Sequence, residues 1–147
     1  MKRLFLLFII LLVTIIVSAK SFYSQKIVSC SAGAYHTLAI DESGSLWSWG
    51  YNTYGQLGDG TTQDQYIAVQ IKPETKFKFG VAGYNYSMAI DESGNLWGWG
   101  TNNNGQLGNA ITSEKNANPV IIKSGTKFKV VSIYYSHTLA IDESGNL

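Results

Sequence analysis

Short apolar runs separated by polar, glycine-bearing turns recur along this chain at a period of about fifty residues. The run His36-Thr37-Leu38-Ala39-Ile40 is β-prone, Asp41-Glu42-Ser43-Gly44 is turn chemistry, and Leu46-Trp47-Ser48-Trp49 resumes as a strand. The aspartate can accept hydrogen bonds from the backbone ahead of it, and Gly44 can take positive φ. Strand, short loop and strand predict a hairpin. Within its second strand, a period of two puts Trp47 and Trp49 on one face, with Leu46 and Ser48 on the other. The same order returns through Asp91-Glu92-Ser93-Gly94 and Leu96-Trp97-Gly98-Trp99, and begins again at His137-Thr138-Leu139-Ala140-Ile141. Further strands are predicted over residues 67–71, 77–81, 119–122 and 128–133. About four strands per unit is the blade of a β-propeller, so the expected class is all-β, a partial propeller of four-stranded antiparallel blades.

The repeat is close. Residues 41–58 match residues 91–108 at thirteen of eighteen positions, and Asp-Glu-Ser-Gly stands three times at spacings of 50 and 51. The units run over residues 25–74, 75–125 and 126–147, the third less than half complete. The framework of the first is Gly33, Gly44, Trp47, Trp49, Gly50, Gly55, Gln56, Leu57 and Gly58. The second repeats it with Gly83, Gly94, Trp97, Trp99, Gly100, Gly105, Gln106, Leu107 and Gly108. The four tryptophans are read as core packing one blade on the next, with a ligand-stacking platform as the alternative. Leu57 and Leu107 are expected to plug the core beneath their loops, and Gln56 and Gln106 to satisfy backbone groups there.

The first residues have a different pattern. Lys2 and Arg3 precede an apolar stretch at residues 4–17 that is broken only by Thr14, and Val17-Ser18-Ala19 supplies small residues before Lys20. This is the form of a secretory signal peptide, with cleavage between Ala19 and Lys20. A spanning helix needs about 20 apolar residues, so cleavage is preferred to an uncleaved N-terminal hydrophobic helix acting as an anchor. Both readings place the repeats outside the cytosol, secreted or displayed, with residues 4–17 as the sole route to membrane attachment.

Composition narrows the partners. The chain is 45% hydrophobic and 14% charged, which excludes a disordered class. Its formal charge is +1, and without Lys2 and Arg3 nine cations face ten anions, or −1. A near-neutral domain carries no electrostatic footprint for nucleic acid, and none is expected as a partner. The single cysteine, Cys30, cannot form an internal disulfide and is read as a small buried hydrophobe on a strand.

No catalytic or zinc-type spacing accompanies the repeats, so no enzyme activity and no cofactor are expected. His36 and His137 hold equivalent positions, with Tyr86 between them in the series, and are expected to pack or to bond a neighbouring loop. The three Asp-Glu pairs are expected to sit in turns facing water rather than across a cleft. Residues 59–64 faintly resemble a calcium loop, but the second unit does not keep the pattern. Lys76-Phe77-Lys78 alternates in strand rhythm, lysines outward. Asn85-Tyr86-Ser87 fits a glycosylation acceptor in a eukaryotic secretory path.

Taken in order, Gly33 to Ile40, Gly44, Leu46 to Gly50, Asn52 and Gly55 to Gly58 resemble the regulator of chromosome condensation repeat family, and residues 83–108 repeat the resemblance. The resemblance covers residues 26–147. It implies a propeller that members close with about seven four-stranded blades. Tyr134 departs from the pattern at the position of Gly33 and Gly83. Two and a fraction units would not close a ring, so a fragment of a longer propeller, or assembly through open blade faces, is expected. Nuclear members of the family promote nucleotide exchange on a small GTPase and bind chromatin, and an exported relative inhibits beta-lactamases. For this chain the expected function is an exported scaffold that binds a protein partner through loops that vary between units. Tyr51, Thr53 and Tyr54 become Thr101, Asn103 and Asn104 while the framework stays fixed, and these six are the candidate contacts. The alternatives are cell-surface carbohydrate recognition by exposed aromatics, and a non-functional repeat relic.

Overall fold

The computed structural model describes residues 25–147. The expected signal helix, its anchor alternative and the Ala19–Lys20 cleavage site lie outside the described residues.

The described chain contains ten β-strands and no helix. The first sheet is β1 (Ile27–Ala32), β2 (His36–Asp41), β3 (Leu46–Gly50) and β4 (Gln65–Ile71), hydrogen-bonded in that order. The second is β5 (Phe77–Ala82), β6 (Tyr86–Asp91), β7 (Leu96–Gly100) and β8 (Asn116–Ile122), again in chain order. A two-stranded sheet follows, β9 (Phe128–Tyr134) with β10 (His137–Asp142). Every pairing is antiparallel. β4 and β8 begin earlier than their apolar runs, because a register shift lets Gly50 pair with Gln65 and Gly100 with Asn116. Both are edge strands, and β8 accordingly accommodates Pro119.

Packing follows the strand alternation. One face of the first sheet carries Leu38, Ile40, Leu46 and Ile71, and these pack against Phe77, Ala82, Ala89 and Trp99 of the second. The other face of the second sheet carries Tyr86, Met88, Ile90, Leu96 and Ile122, with Leu107 from its loop, and meets Phe128 and Val131. The sheets therefore stack face to face, each burying what its neighbour presents, and burial of this apolar surface is the main driving force. Trp99 is fully buried at the first joint. Trp97 is half-buried there, edge-on to Phe77, with Lys72 Nζ 4.9 Å above its ring. Trp47 is buried with Ala39 and Ala68 on the opposite face of the first sheet, and Trp49 packs beside them.

Two expectations are corrected. Cys30 is exposed, not buried. It pairs with Ala39 and so lies on the face of β1 turned away from the second sheet, where Ser29 and Ser31 pair with Ile40 and Leu38 on the packed side. In the first two Asp-Glu turns the aspartates do not face water: Asp41 and Asp91 are buried beside exposed Glu42 and Glu92, whereas in the third Asp142 is half-buried beside exposed Glu143. Asp41 Oδ1 accepts the Ser43 and Ser45 amides at 2.9 and 3.0 Å and the Ser43 hydroxyl at 2.6 Å, while Oδ2 accepts Trp47 Nε1 at 2.9 Å. The carboxylate is the organising centre of the hairpin, and it ties the turn to a core indole. Burial alone would raise its pKa; the four donated bonds outweigh that, and the group is held below the usual aspartate range. Asp91 repeats the arrangement with Asn95 and Trp97 Nε1.

Candidate functional site

Antiparallel order in chain sequence sends the β1–β2 turn and the loop after β3 to one end of each sheet. Repeated in the next unit, this gathers the variable residues on a single rim. The first-unit loop is held from within by Asn52. Its amide donates to Asp64 Oδ1 at 2.8 Å, its Oδ1 accepts the Leu57 amide at 3.0 Å, and its Nδ2 donates to Asp59 Oδ1 at 3.1 Å and to the Gln63 carbonyl at 3.0 Å. Asn102 holds the second loop likewise, accepting the Leu107 amide at 2.8 Å and donating to Asn109 and Ile111. Gln56 Oε1 accepts the Tyr54 amide and Gln106 Oε1 the Asn104 amide, both at 3.0 Å. Leu57 and Leu107 are buried beneath. In the calcium-like stretch the Asp59 carboxylate is occupied by Asn52, Thr61 and Gln65. Asp59 and Asp64 thus shape the loop. No cluster of three metal-ligating side chains occurs among the described residues.

The loops also lock one blade to the next. The Gln56 carbonyl accepts Ser87 Oγ and Trp99 Nε1, both at 2.8 Å, and the Gln106 carbonyl accepts Thr138 Oγ1 at 2.6 Å. His36 Nε2 meets Ser87 Oγ at 2.8 Å. At the next joint the hydroxyl of Tyr86, which holds the equivalent position, donates to the His137 carbonyl at 2.6 Å. Gly33 and Gly83 sit where a side chain would strike these groups. A Cβ on Gly33 would lie 2.5 Å from the Gly83 carbonyl oxygen and 2.8 Å from the His36 ring, and one on Gly83 would lie 2.8 Å from the Tyr86 ring. The Asn85-Tyr86-Ser87 acceptor motif enters this joint, with Tyr86 and Ser87 buried.

On this frame, tyrosines converge. Tyr35, Tyr51, Tyr54 and Tyr84 with Asn85 line a groove of about 520 Å³. Their rings meet edge to face: Tyr51 and Tyr54 at 6.3 Å, Tyr35 and Tyr51 at 5.9 Å, Tyr35 and Tyr84 at 5.5 Å. Tyr135 extends the row, 4.9 Å from Tyr84 and tilted by 45°. The Tyr35 and Tyr84 hydroxyls lie 3.4 Å apart, and this contact is the largest cause holding the Tyr84 pKa above the usual phenol value. An adjoining depression of about 210 Å³ shares Tyr54, Tyr84 and Asn85 and adds Thr101, Asn103, Asn104, Gln106, Tyr135 and Ser136. Of the six residues singled out from sequence, five line these two hollows; Thr53 lines neither. Sequence reasoning missed Tyr35, Tyr84, Asn85 and Tyr135. The signal was present, since Ala34-Tyr35, Tyr84-Asn85 and Tyr135-Ser136 vary at equivalent positions beside fixed neighbours.

Comparison with known proteins agrees with this architecture. Two models of the regulator of chromosome condensation (RCC1) repeat match the chain, one at residues 27–56 and 78–106, the other at residues 43–90 and 93–141. The chain belongs to the RCC1 repeat family. An RCC1 domain-containing protein of Dictyostelium discoideum is 54% identical over 39 residues, which is 26% of this chain and 8% of that protein. The crystal structure of human WBSCR16 superposes with a TM-score of 0.75 at 18% identity, covering 82% of this chain and 31% of that one. Prp20p of Saccharomyces cerevisiae superposes with a TM-score of 0.65 at 21% identity, over 80% of this chain and 30% of that one. The chain thus spans less than a third of the length of each of these three proteins.

Proposed function

We propose that this chain is an exported, non-enzymatic repeat scaffold that binds a protein partner through its tyrosine-lined rim. The observation that carries the reading is the convergence of Tyr35, Tyr51, Tyr54, Tyr84 and Tyr135 from four loops onto one edge of a stiff, hydrogen-bonded frame. Tyrosine supplies a large contact area at low entropic cost and is enriched at interfaces. The ionisable groups with the most structured surroundings, His36, Asp41 and Asp91, are consumed in joints and turns, which favours scaffolding over catalysis. Export is supported by the cationic start, the apolar residues 4–17 and the small residues before Lys20. Protein binding has a parallel in yeast Prp20p, whose structure is described together with its binding properties to Gsp1p and histones. The same exposed rings favour a second reading, a glycan-binding surface.

The test is affinity purification with the whole chain against a Tyr35→Ala/Tyr84→Ala variant of unchanged circular dichroism and melting temperature. A protein retained by the first and lost by the second is the expected result. Equal recovery by both would overturn the assignment of the rim. Immunodetection of the natural chain in the cytosol would overturn export.

A further inference from the structure

The groove and its neighbouring depression together carry no charged side chain. Their lining is tyrosine, asparagine, threonine, glutamine and serine. A cationic peptide would find no carboxylate, and a phosphate or single-stranded nucleic acid no lysine or arginine, although aromatic stacking alone is available to both. The ligand that fits is itself uncharged.

The polar groups that remain open include donors, alongside the amide oxygens of Asn103 and Asn104. Asn85 Oδ1 is engaged by Gln56 Nε2 at 3.4 Å, which leaves its NH₂ free of hydrogen bonds among the described residues. The Asn103 and Asn104 side chains make no hydrogen bond there and are exposed. Between the Tyr35 and Tyr84 hydroxyls one hydrogen is shared and the other stays available. The ring geometry is as selective. Interplanar angles of 65°, 71° and 72° produce a series of notches between ring edges rather than the flat, coplanar platform that a sugar face would stack on.

Notched aromatic rows bordered by donors suit a polyproline II segment. Such a helix has three residues per turn, a rise of about 3.1 Å, pyrrolidine rings that wedge between aromatic rings, and backbone carbonyls with no internal partner. Proline also removes the backbone N–H, so its segments need donors from their receptor and few acceptors. We propose that the Tyr35–Tyr51–Tyr54–Tyr84–Tyr135 row is a receptor for an uncharged, proline-rich extended segment of a partner protein. The tyrosine rings grip the prolines, and the Asn85 amide and the free tyrosine hydroxyl donate to the carbonyls. The inference rests on the protein-binding reading above and names the chemistry of the partner.

The test uses a fluorescein-labelled decaproline peptide, titrated by polarisation with the whole chain at low and high salt. Parallel arms use an alanine/glycine peptide of equal length, an oligo-arginine peptide and a neutral oligosaccharide. Decaproline is expected to bind with salt-insensitive affinity. Tyr84→Ala and Tyr35→Ala should each weaken it by about tenfold or more, and Asn85→Ala by a smaller factor. Tyr66→Ala, at a tyrosine 93% exposed and outside both hollows, should leave it unchanged. Preference for the arginine peptide would overturn the proline assignment and leave the protein-binding reading standing. Binding of the oligosaccharide alone would overturn both. Decaproline binding that survives both tyrosine substitutions, or no decaproline binding by a correctly folded chain, would overturn the site.

Discussion

His36 Nε2 lies 2.8 Å from Ser87 Oγ, across the joint between the first and second sheets. Ser87 in turn donates to the Gln56 carbonyl, so its oxygen accepts from His36, and the ring carries its hydrogen on Nε2. His36 Nδ1 is buried without a partner. Adding a proton there would create a buried, unsatisfied donor and a buried charge. Burial accordingly lowers the His36 pKa from 6.5 to about 4.

A pH dependence follows. The unfolded chain takes up a proton on His36 near pH 6.5, while the folded chain resists it until about pH 4. The neutral ring's contribution is therefore complete above pH 6.5 and is lost progressively as pH falls towards 4. The full loss is on the order of 3 kcal/mol, at 1.36 kcal/mol per pKa unit. Urea unfolding at pH 7, 5.5 and 4 should show this slope, and His36→Gln should flatten it while lowering stability at pH 7. A native slope unchanged by the substitution would assign the effect elsewhere.

Asp41 gives a second prediction. In Asp41→Asn, the Oδ2 position that accepts Trp47 Nε1 at 2.9 Å, or the Oδ1 position that accepts three donors, must become an NH₂ group. Either orientation opposes donor to donor. The cost should be about 2 kcal/mol in chemical denaturation followed by tryptophan emission. Glu42→Gln, at the next residue, should fall within about 0.5 kcal/mol of the parent, because Glu42 is exposed and its ion pair with Lys26 is long at 3.8 Å.

The contrast between Asp41 and Glu42 also marks what the sequence made legible. Fold class, the four-stranded unit and the role of Leu57 and Gln56 could be read because two closely matching units repeat the same periodicity, and each then predicts the other. Register, by contrast, depended on irregularities between Ser48 and Gly50 and between Gly98 and Gly100, which the alternation of apolar residues does not reveal, so β4 and β8 start ahead of their hydrophobic runs. The burial of Asp41 was hidden because turn chemistry describes how an aspartate bonds forward, and nothing local tells that an indole six residues on will reach back to it. The tyrosine groove was half legible. Tyr51 and Tyr54 stood out as variation in a fixed loop, whereas Tyr84 joins them only because stacking of the sheets brings a second unit's turn beside the first unit's loop.

Gly58 and Gly108 occupy the same repeat position and separate backbone strain from packing. Both adopt left-handed backbone, with φ of 78° and 67°. A Cβ on Gly58 would lie 2.7 Å from Trp99 Nε1, whereas one on Gly108 meets nothing within 4 Å. Gly108→Ala should cost about 1 kcal/mol, the strain of a left-handed alanine. Gly58→Ala should cost at least about 2 kcal/mol more, since it displaces the indole and its bond to the Gln56 carbonyl. Thermal unfolding of the two variants side by side checks this; equal losses would mean that the indole yields freely.

The last prediction is a gain. Ser48 is fully buried on the packed face of β3, and its Oγ has no hydrogen-bond partner. At the equivalent site in β7 the chain places Gly98, where a Cβ would come within 2.9 Å of Met88 Sδ. The first unit has room for a Cβ, and the hydroxyl on it is desolvated without compensation. Ser48→Ala keeps the Cβ and removes the unsatisfied group, and it should stabilise the chain by about 1 kcal/mol, read as a higher urea midpoint at unchanged slope. Ser48→Gly would remove the group and the packing together and should lose stability, from the cavity and from the greater backbone freedom of glycine. If alanine instead destabilised as much as glycine, the hydroxyl would have to be hydrogen-bonded in solution, and the packed face of β3 would be wetter than its burial indicates.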